Sequence, residues 1–278
     1  MTILLFSIIL FACSMAAGLV GSLTGLGGGV VLIPLLTLVF KVDIHYAIGT
    51  SLVSVIATSS GAAAAYVKEG ITNIRLGMFL EVATTIGAII GAFLATYVPT
   101  HWIAIVFGAI LIFSAITSFS KHDEQIDTAP SGKYAAALRL NNSFPTAAGP
   151  QPYTVRNVAG GFFMMNIAGM ISGLLGIGSG ALKVIAMDRI MKIPFKVSTT
   201  TSNFMIGVTA AASAGIYLRR GYIDPGLSMP VLLGVLAGAF AGSKLLVKAK
   251  TKWLKIFFAI VVLFLAIQMI YNGITNRL

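Results

Sequence analysis

The sequence is poor in charge, has one cysteine and has two tryptophans. Of its 278 residues only 10% are charged, against about 25% in soluble domains, so an ordinary soluble domain is excluded. Cys13 stands alone, so no intrachain disulfide can form, and a packed apolar thiol is its expected state. No CxxC, HExxH, Walker A or haem-attachment motif occurs. Metalloprotease and nucleotide-driven chemistry therefore have no basis here, and no cofactor is expected. Acidic residues number 8 against 19 Lys and Arg, a net charge of +11. The basic residues are scattered between apolar runs, which argues against a nucleic-acid surface and for loop chemistry at a membrane. The start has neither a basic region nor a small-residue cleavage site, so Thr2 onward is expected to be mature membrane helix.

Apolar length is what the chain has instead. It is 57% hydrophobic, with mean hydropathy +0.95. Several runs approach the roughly 20 residues that span a bilayer. The expected class is an all-α, multi-pass integral membrane protein.

Gly18 to Pro34, GLVGSLTGLGGGVVLIP, stands out among these runs. Gly25, Gly27, Gly28 and Gly29 fall within five positions, each disfavouring helix interior by about 1 kcal/mol relative to Ala. Broken backbone at membrane depth must be buried in protein or line a wet cavity. Gly169 to Val184, GMISGLLGIGSGALKV, does the same in the second half. Gly176, Gly178 and Gly180 follow Gly25, Gly27 and Gly29 at an offset of 151. That offset also relates Thr50-Ser51 to Thr201-Ser202, Tyr66 to Tyr217, Gly87 and Gly91 to Gly238 and Gly242, and Trp102 to Trp253. It is an internal duplication.

Each half reads as five apolar pieces: about 2–22, 28–40, 45–67, 76–98 and 102–120, then about 156–174, 179–191, 197–218, 227–247 and 252–272. The second piece of each half is short for a full span. The first two are expected to form a hairpin whose glycine tip lies within the membrane. The organisation is residues 1–121 as first repeat, 122–152 as a polar, flexible, cytoplasmic linker, and 153–278 as second repeat. Loop charge reverses between halves: Lys68, Arg75, Lys121, Lys133, Arg139 and Arg156 oppose Arg189, Lys192, Lys196, Lys248, Lys250 and Lys252. Like sequences with opposite loop charge imply two inverted-topology repeats, with both termini outside. Arg219 and Arg220 run against this pattern, because they would lie outside.

GLVGSLTGLGGGVVLIPLL and IGTSL, echoed by ISGLLGIGSG and STTTSN, resemble the TauE/SafE sulfite exporter family, the 4-toluene sulfonate uptake permeases. The resemblance covers nearly the whole chain. It implies transport of small sulfur-containing anions such as sulfite, sulfoacetate, thiosulfate or related sulfonates, in the inner (cytoplasmic) membrane. One departure leaves the substrate open: Lys183 stands where the first half has Leu32.

The candidate substrate-binding residues follow from anion chemistry. If pieces 28–40 and 179–191 are helices, their N-termini expose free N–H groups and about half a positive charge near the midplane. That places Gly25, Gly27, Gly28, Gly29, Gly176, Gly178, Ser179 and Gly180 at the site, though glycines also permit close helix packing. Thr50, Ser51, Thr201, Ser202 and Asn203 offer donors to sulfonate oxygens, or else cap and glue helices. Lys183 is an intramembrane cation, functional by default unless it snorkels or pairs with Asp188. Glu81 is the acid within a membrane piece and the coupling candidate. Gly87/Gly91 and Gly238/Gly242 read as packing pairs, and Trp102, Trp253, Tyr66 and Tyr217 as interfacial anchors. His45 and His101 lack partners at ligand spacing, so no metal is expected.

These features describe a secondary transporter working by alternating access, an exporter by preference. Export of an anion from an inside-negative cell is downhill and could be uniport, whereas import would need a cation such as a proton or sodium. An anion channel, a cation-coupled importer of another organic anion, and an assembly subunit are the alternatives. An enzyme is disfavoured, because no Ser/His, Cys/His or paired-carboxylate set lies in the apolar pieces. Small-residue helix faces would permit a homodimer.

Overall fold

The computed structural model describes residues 3–24, 28–68, 70–118, 131–146, 149–246 and 251–276. In the first half, α1 spans Ile3–Thr24 and α2 spans Gly29–Pro34, continuing as a π-helical turn over Leu35–Val39. Then come α3 (Ile44–Lys68), α4 (Ile74–Ala95) and α5 (Thr100–Ser118). The second half repeats the order: α7 (Val158–Leu175), α8 (Gly180–Ile185) with a π turn over Ala186–Ile190, α9 (Phe195–Arg219), α10 (Pro225–Leu246) and α11 (Thr251–Ile274). All ten expected pieces are helices, and α2, α3 and α4 start at residues whose repeat partners start α8, α9 and α10. Both π turns end alike, with Lys41 (φ 55) and Lys192 (φ 59) in the left-handed region, which stops the helix without a glycine.

The long helices pair across the halves. α1 packs on α10 and α4 on α7, with α3 against α9 between them, and α5 packs against α11. Small residues make the close approaches possible. A Cβ on Gly87 or Gly91 would strike the Asn166 or Met170 carbonyl of α7, and one on Gly169 or Gly173 would strike Thr84 or Ala88 of α4. Gly234 and Gly238 stand likewise against Phe11 and Met15 of α1. The packing reading of Gly87, Gly91 and Gly238 holds, while the side of Gly242 lies outside the described residues.

Outward faces are apolar. On α4, Met78, Val82, Ile86, Ile90 and Phe93 are all exposed, a stripe at helical spacing that water would not favour. Among the described residues, α4 and α7 are long and apolar enough to cross a membrane. Trp102 is exposed, as an interfacial anchor should be. Tyr217 is not an anchor: it is fully buried and its hydroxyl donates to the Gly173 carbonyl at 3.2 Å. Tyr66 and Trp253 have side chains outside the described set.

The linker is folded where it is described. A helical turn, α6 (Lys133–Ala137), leads into β1 (Asn142–Thr146), which pairs antiparallel with β2 (Gly149–Tyr153). Ala135, Leu140, Phe144 and Tyr153 pack onto Leu76 of α4, Val158 of α7, Met191 beyond α8 and Val197 of α9. Asn73 fixes the join. Its Oδ1 accepts from Leu76 N at 3.1 Å, capping α4. Its Nδ2 donates to the Leu140 carbonyl and to the Tyr153 hydroxyl at 2.8 Å. Burial pushes that phenol up to about 12, so it stays neutral in this shell. The expected flexibility loses to burial of four apolar side chains.

The opposite end gathers other helix termini. His45, in the first turn of α3, meets the Ala95 carbonyl at the end of α4 and stacks on Tyr222 past α9. Asp43 accepts from the same ring at 3.1 Å, and that hydrogen bond holds its carboxyl below the usual range.

Candidate functional site

The second glycine tip is fully described. α7 ends at Gly176 (φ 68), Gly178 follows at φ 72 and Ser179 at φ 45, and α8 starts at Gly180. Three left-handed residues within four make a sharp reversal that β-carbons resist. The chain therefore turns inside the protein, as the glycine pattern predicts. Gly25 and Gly27 lie outside the described residues, so the first tip is seen only from Gly28, whose carbonyl starts α2 by accepting from Leu32 N at 3.0 Å.

The two hairpins meet. A Cβ on Gly29 would touch Ser51 Oγ and the Gly176 carbonyl, and Val55 of α3 packs against both Gly29 and Gly178. Ser51 Oγ donates to the Gly176 carbonyl at 3.0 Å. Its repeat partner Ser202 donates to the Gly180 carbonyl at 3.3 Å. These two hydroxyls hold the tip. Thr50 instead bonds Ser228 of α10 at 3.2 Å, and Thr201 accepts from Asn73 N at 3.1 Å. Asn203 is half-buried on α9.

One group remains uncommitted at this tip. Ser179 Oγ is buried and finds no partner among the described residues, a costly state for a hydroxyl. A small, partly open cleft runs past it, walled by Val30, Ile177 and Ser179 and by Ile110, Phe113 and Ser114 of α5. Lys183 does not line that cleft. It stands four residues beyond Ser179, and its backbone N–H donates to the Ser179 carbonyl at 3.1 Å.

Lys183 neither snorkels nor pairs directly with Asp188. It is 0% exposed, and its Nζ donates to Thr209 Oγ1 of α9 at 2.6 Å. The Thr209 hydroxyl in turn faces Glu81 Oε1 of α4 at 2.7 Å, with the Met205 carbonyl as second acceptor at 2.9 Å. Thr85 also donates to Glu81 Oε1, at 3.2 Å. Glu81 is 8% exposed, and its Oε2 is buried with no partner among the described residues. An ammonium, a hydroxyl and a carboxylate thus form one chain linking α8, α9 and α4.

Thr209 is the residue that the sequence reading lacks. One signal points to it. In the other half, the positions matching Lys183, Thr209 and Glu81 are Leu32, Thr58 and Leu232. Both charges break the repeat and the hydroxyl between them does not.

Glycine-packed helices that turn back inside the protein, apolar outer faces and a buried charge chain fit a membrane transporter. The comparisons agree. The family model for the sulfite exporter TauE/SafE matches residues 10–269. The chain is 30% identical over 276 residues to the probable membrane transporter protein YunE of Bacillus subtilis, covering 96% of this chain and 98% of that one. It is 27% identical to YdhB of the same bacterium, over 82% of this chain and 85% of that one. A probable membrane transporter protein of Xylella fastidiosa is 25% identical over 93% and 94% of the two chains. No solved structure matches. The chain belongs to the TauE/SafE sulfite exporter family and is a membrane transporter protein.

The buried pair carries a stability prediction. Lys183→Leu or Glu81→Leu alone leaves an unpaired charge and is expected to cost about 3–5 kcal/mol. The double variant installs the leucines found at the matching positions, and its unfolding midpoint in detergent should return close to wild type. Additive losses in the double variant would show that the two groups are not coupled.

Proposed function

We propose that the chain is a secondary transporter, by preference an exporter, of small sulfur-containing anions such as sulfite, sulfoacetate or related sulfonates, working by alternating access. The observation that carries this reading is the left-handed tip at Gly176–Ser179, with an uncommitted buried hydroxyl and with Lys183 one turn away. A sulfur oxyanion needs such donors and a countercharge. The description of the family supports the sulfur chemistry. In this reading Gly28 and Gly29 complete the site from the other half, while Ser51 and Ser202 hold its frame.

The halves lie in the membrane with opposite orientation, the linker cytoplasmic and both termini outside, in a cytoplasmic membrane. The crossed pairing of α1 with α10 and α4 with α7 supports this arrangement. So does the gathering of the α4, α7 and α9 starts under the linker, with the α3 start at the other end. Membrane-impermeant thiol labelling from outside should reach a cysteine placed at Lys41 and not one at Lys133. Equal labelling of both would remove the inverted arrangement.

Counterflow tests the transport reading. Proteoliposomes loaded with unlabelled sulfoacetate or sulfite are expected to accumulate labelled anion transiently. Gly178→Leu forces a side chain onto φ 72 and against Ile206, and should lower that flux about tenfold or more. Conductance without accumulation would mean a channel. No flux of any sulfur anion would remove the substrate class.

A further inference from the structure

We propose that the transported anion and Glu81 compete for Lys183, so that each monovalent anion crosses together with one proton carried on Glu81. This rests on the transport reading above, adds its coupling, and replaces export driven by the membrane potential with flux whose direction the pH difference sets.

The argument is a charge count in a closed space. Lys183 is 0% and Glu81 8% exposed, and Thr209 joins them at 2.6 and 2.7 Å. The Thr209 hydroxyl is the hydrogen-bonded bridge between them, and each is the other's nearby opposite charge. The surrounding helices supply nothing else. α7 has no ionisable residue, α4 has only Arg75 near its start, and α9 has Lys196 and Arg219 near its two ends. Asp188 and Arg189 lie in the π turn beyond α8.

Lys183 as ammonium and Glu81 as carboxylate therefore balance one positive charge against one negative. An anion that docks on Lys183 adds a second negative charge. An uncompensated buried charge is strongly unfavourable, and one proton on Glu81 restores neutrality. The step balances as follows: the anion takes the ammonium's hydrogen bonds, a proton from the same aqueous side adds to a carboxylate oxygen, and no covalent bond to the anion forms. Oε2 is the oxygen placed to receive it, because Oε1 already accepts from Thr209 and Thr85. Release on the other side reverses both events. The stoichiometry follows from the broken repeat. Leu32 and Leu232 fill the matching positions, so one carboxylate and one ammonium serve the whole chain.

A monovalent anion would then cross without net charge, driven by the pH difference and not by the membrane potential. The probe is methanesulfonate, which stays monovalent across the working pH range. The full chain is reconstituted in vesicles with a pH-sensitive dye inside. An outside pH one unit more acid is expected to drive about tenfold accumulation, with interior acidification matching uptake one for one. A valinomycin-set potential of about 59 mV, enough to shift an uncoupled anion tenfold, should have no effect. Glu81→Gln should reverse both responses, losing the pH-driven accumulation and gaining the potential-driven one. Wild-type flux that follows the potential without acidification overturns the coupling and leaves the transport reading standing. So does acidification that persists in Glu81→Gln. Absence of saturable flux of methanesulfonate, sulfite or sulfoacetate from wild-type vesicles overturns the transport reading, and the coupling with it. If the variant does not fold, the wild-type proton-to-anion ratio decides alone.

Discussion

A lysine ammonium buried to 0% exposure needs a countercharge inside the protein. That need ties α8 to α4 through the Thr209 hydroxyl of α9, and it fixes much else. α8 must begin deep enough for Lys183 to reach α9, so the chain has to turn inside the protein at Gly176–Ser179. That turn exposes polar backbone, which Ser51 and Ser202 satisfy at Gly176 and Gly180. α4 must lie close against α7, and the paired glycines allow the backbones to touch.

The duplication builds the frame, and its departures build the site. Helix starts, π turns, left-handed lysines and glycine contacts recur at the offset of 151. The charge chain does not recur, because Leu32 and Leu232 occupy the other copy. A pseudo-symmetric frame can exchange the roles of its halves as it opens to either side. In the proposed mechanism, the one charge pair would give that exchange a single cargo position.

Much of the fold was legible. Apolar runs marked every described helix but α6, and glycines that no helix favours marked the break that Gly176 and Gly178 realise with positive φ. The site was legible only in part. Lys183 and Glu81 each stood out as an ion in an apolar run, but nothing along the chain says that residues 81, 183 and 209 meet. Packing decides that, and a threonine in a helix is usually silent because it can bond its own preceding turn. Noticing that both charges replace leucines of the repeat would have paired them. The linker misled through composition. Its prolines and glycines read as loose chain, yet Leu140, Phe144 and Tyr153 find an apolar floor that the linker alone does not reveal. Tyr217 misled through position. It ends a membrane piece as an anchor would, but its hydroxyl finds the Gly173 carbonyl inside.

The claim on which the account turns is that the Lys183–Thr209–Glu81 chain is where the anion is held. Calorimetric titration of the purified protein with methanesulfonate and with sulfite tests it most directly, comparing wild type with the Lys183→Leu/Glu81→Leu double variant. The account predicts saturable binding by wild type and none by the double variant at an unchanged unfolding midpoint. Undiminished binding by the folded double variant would contradict it and place the anion elsewhere.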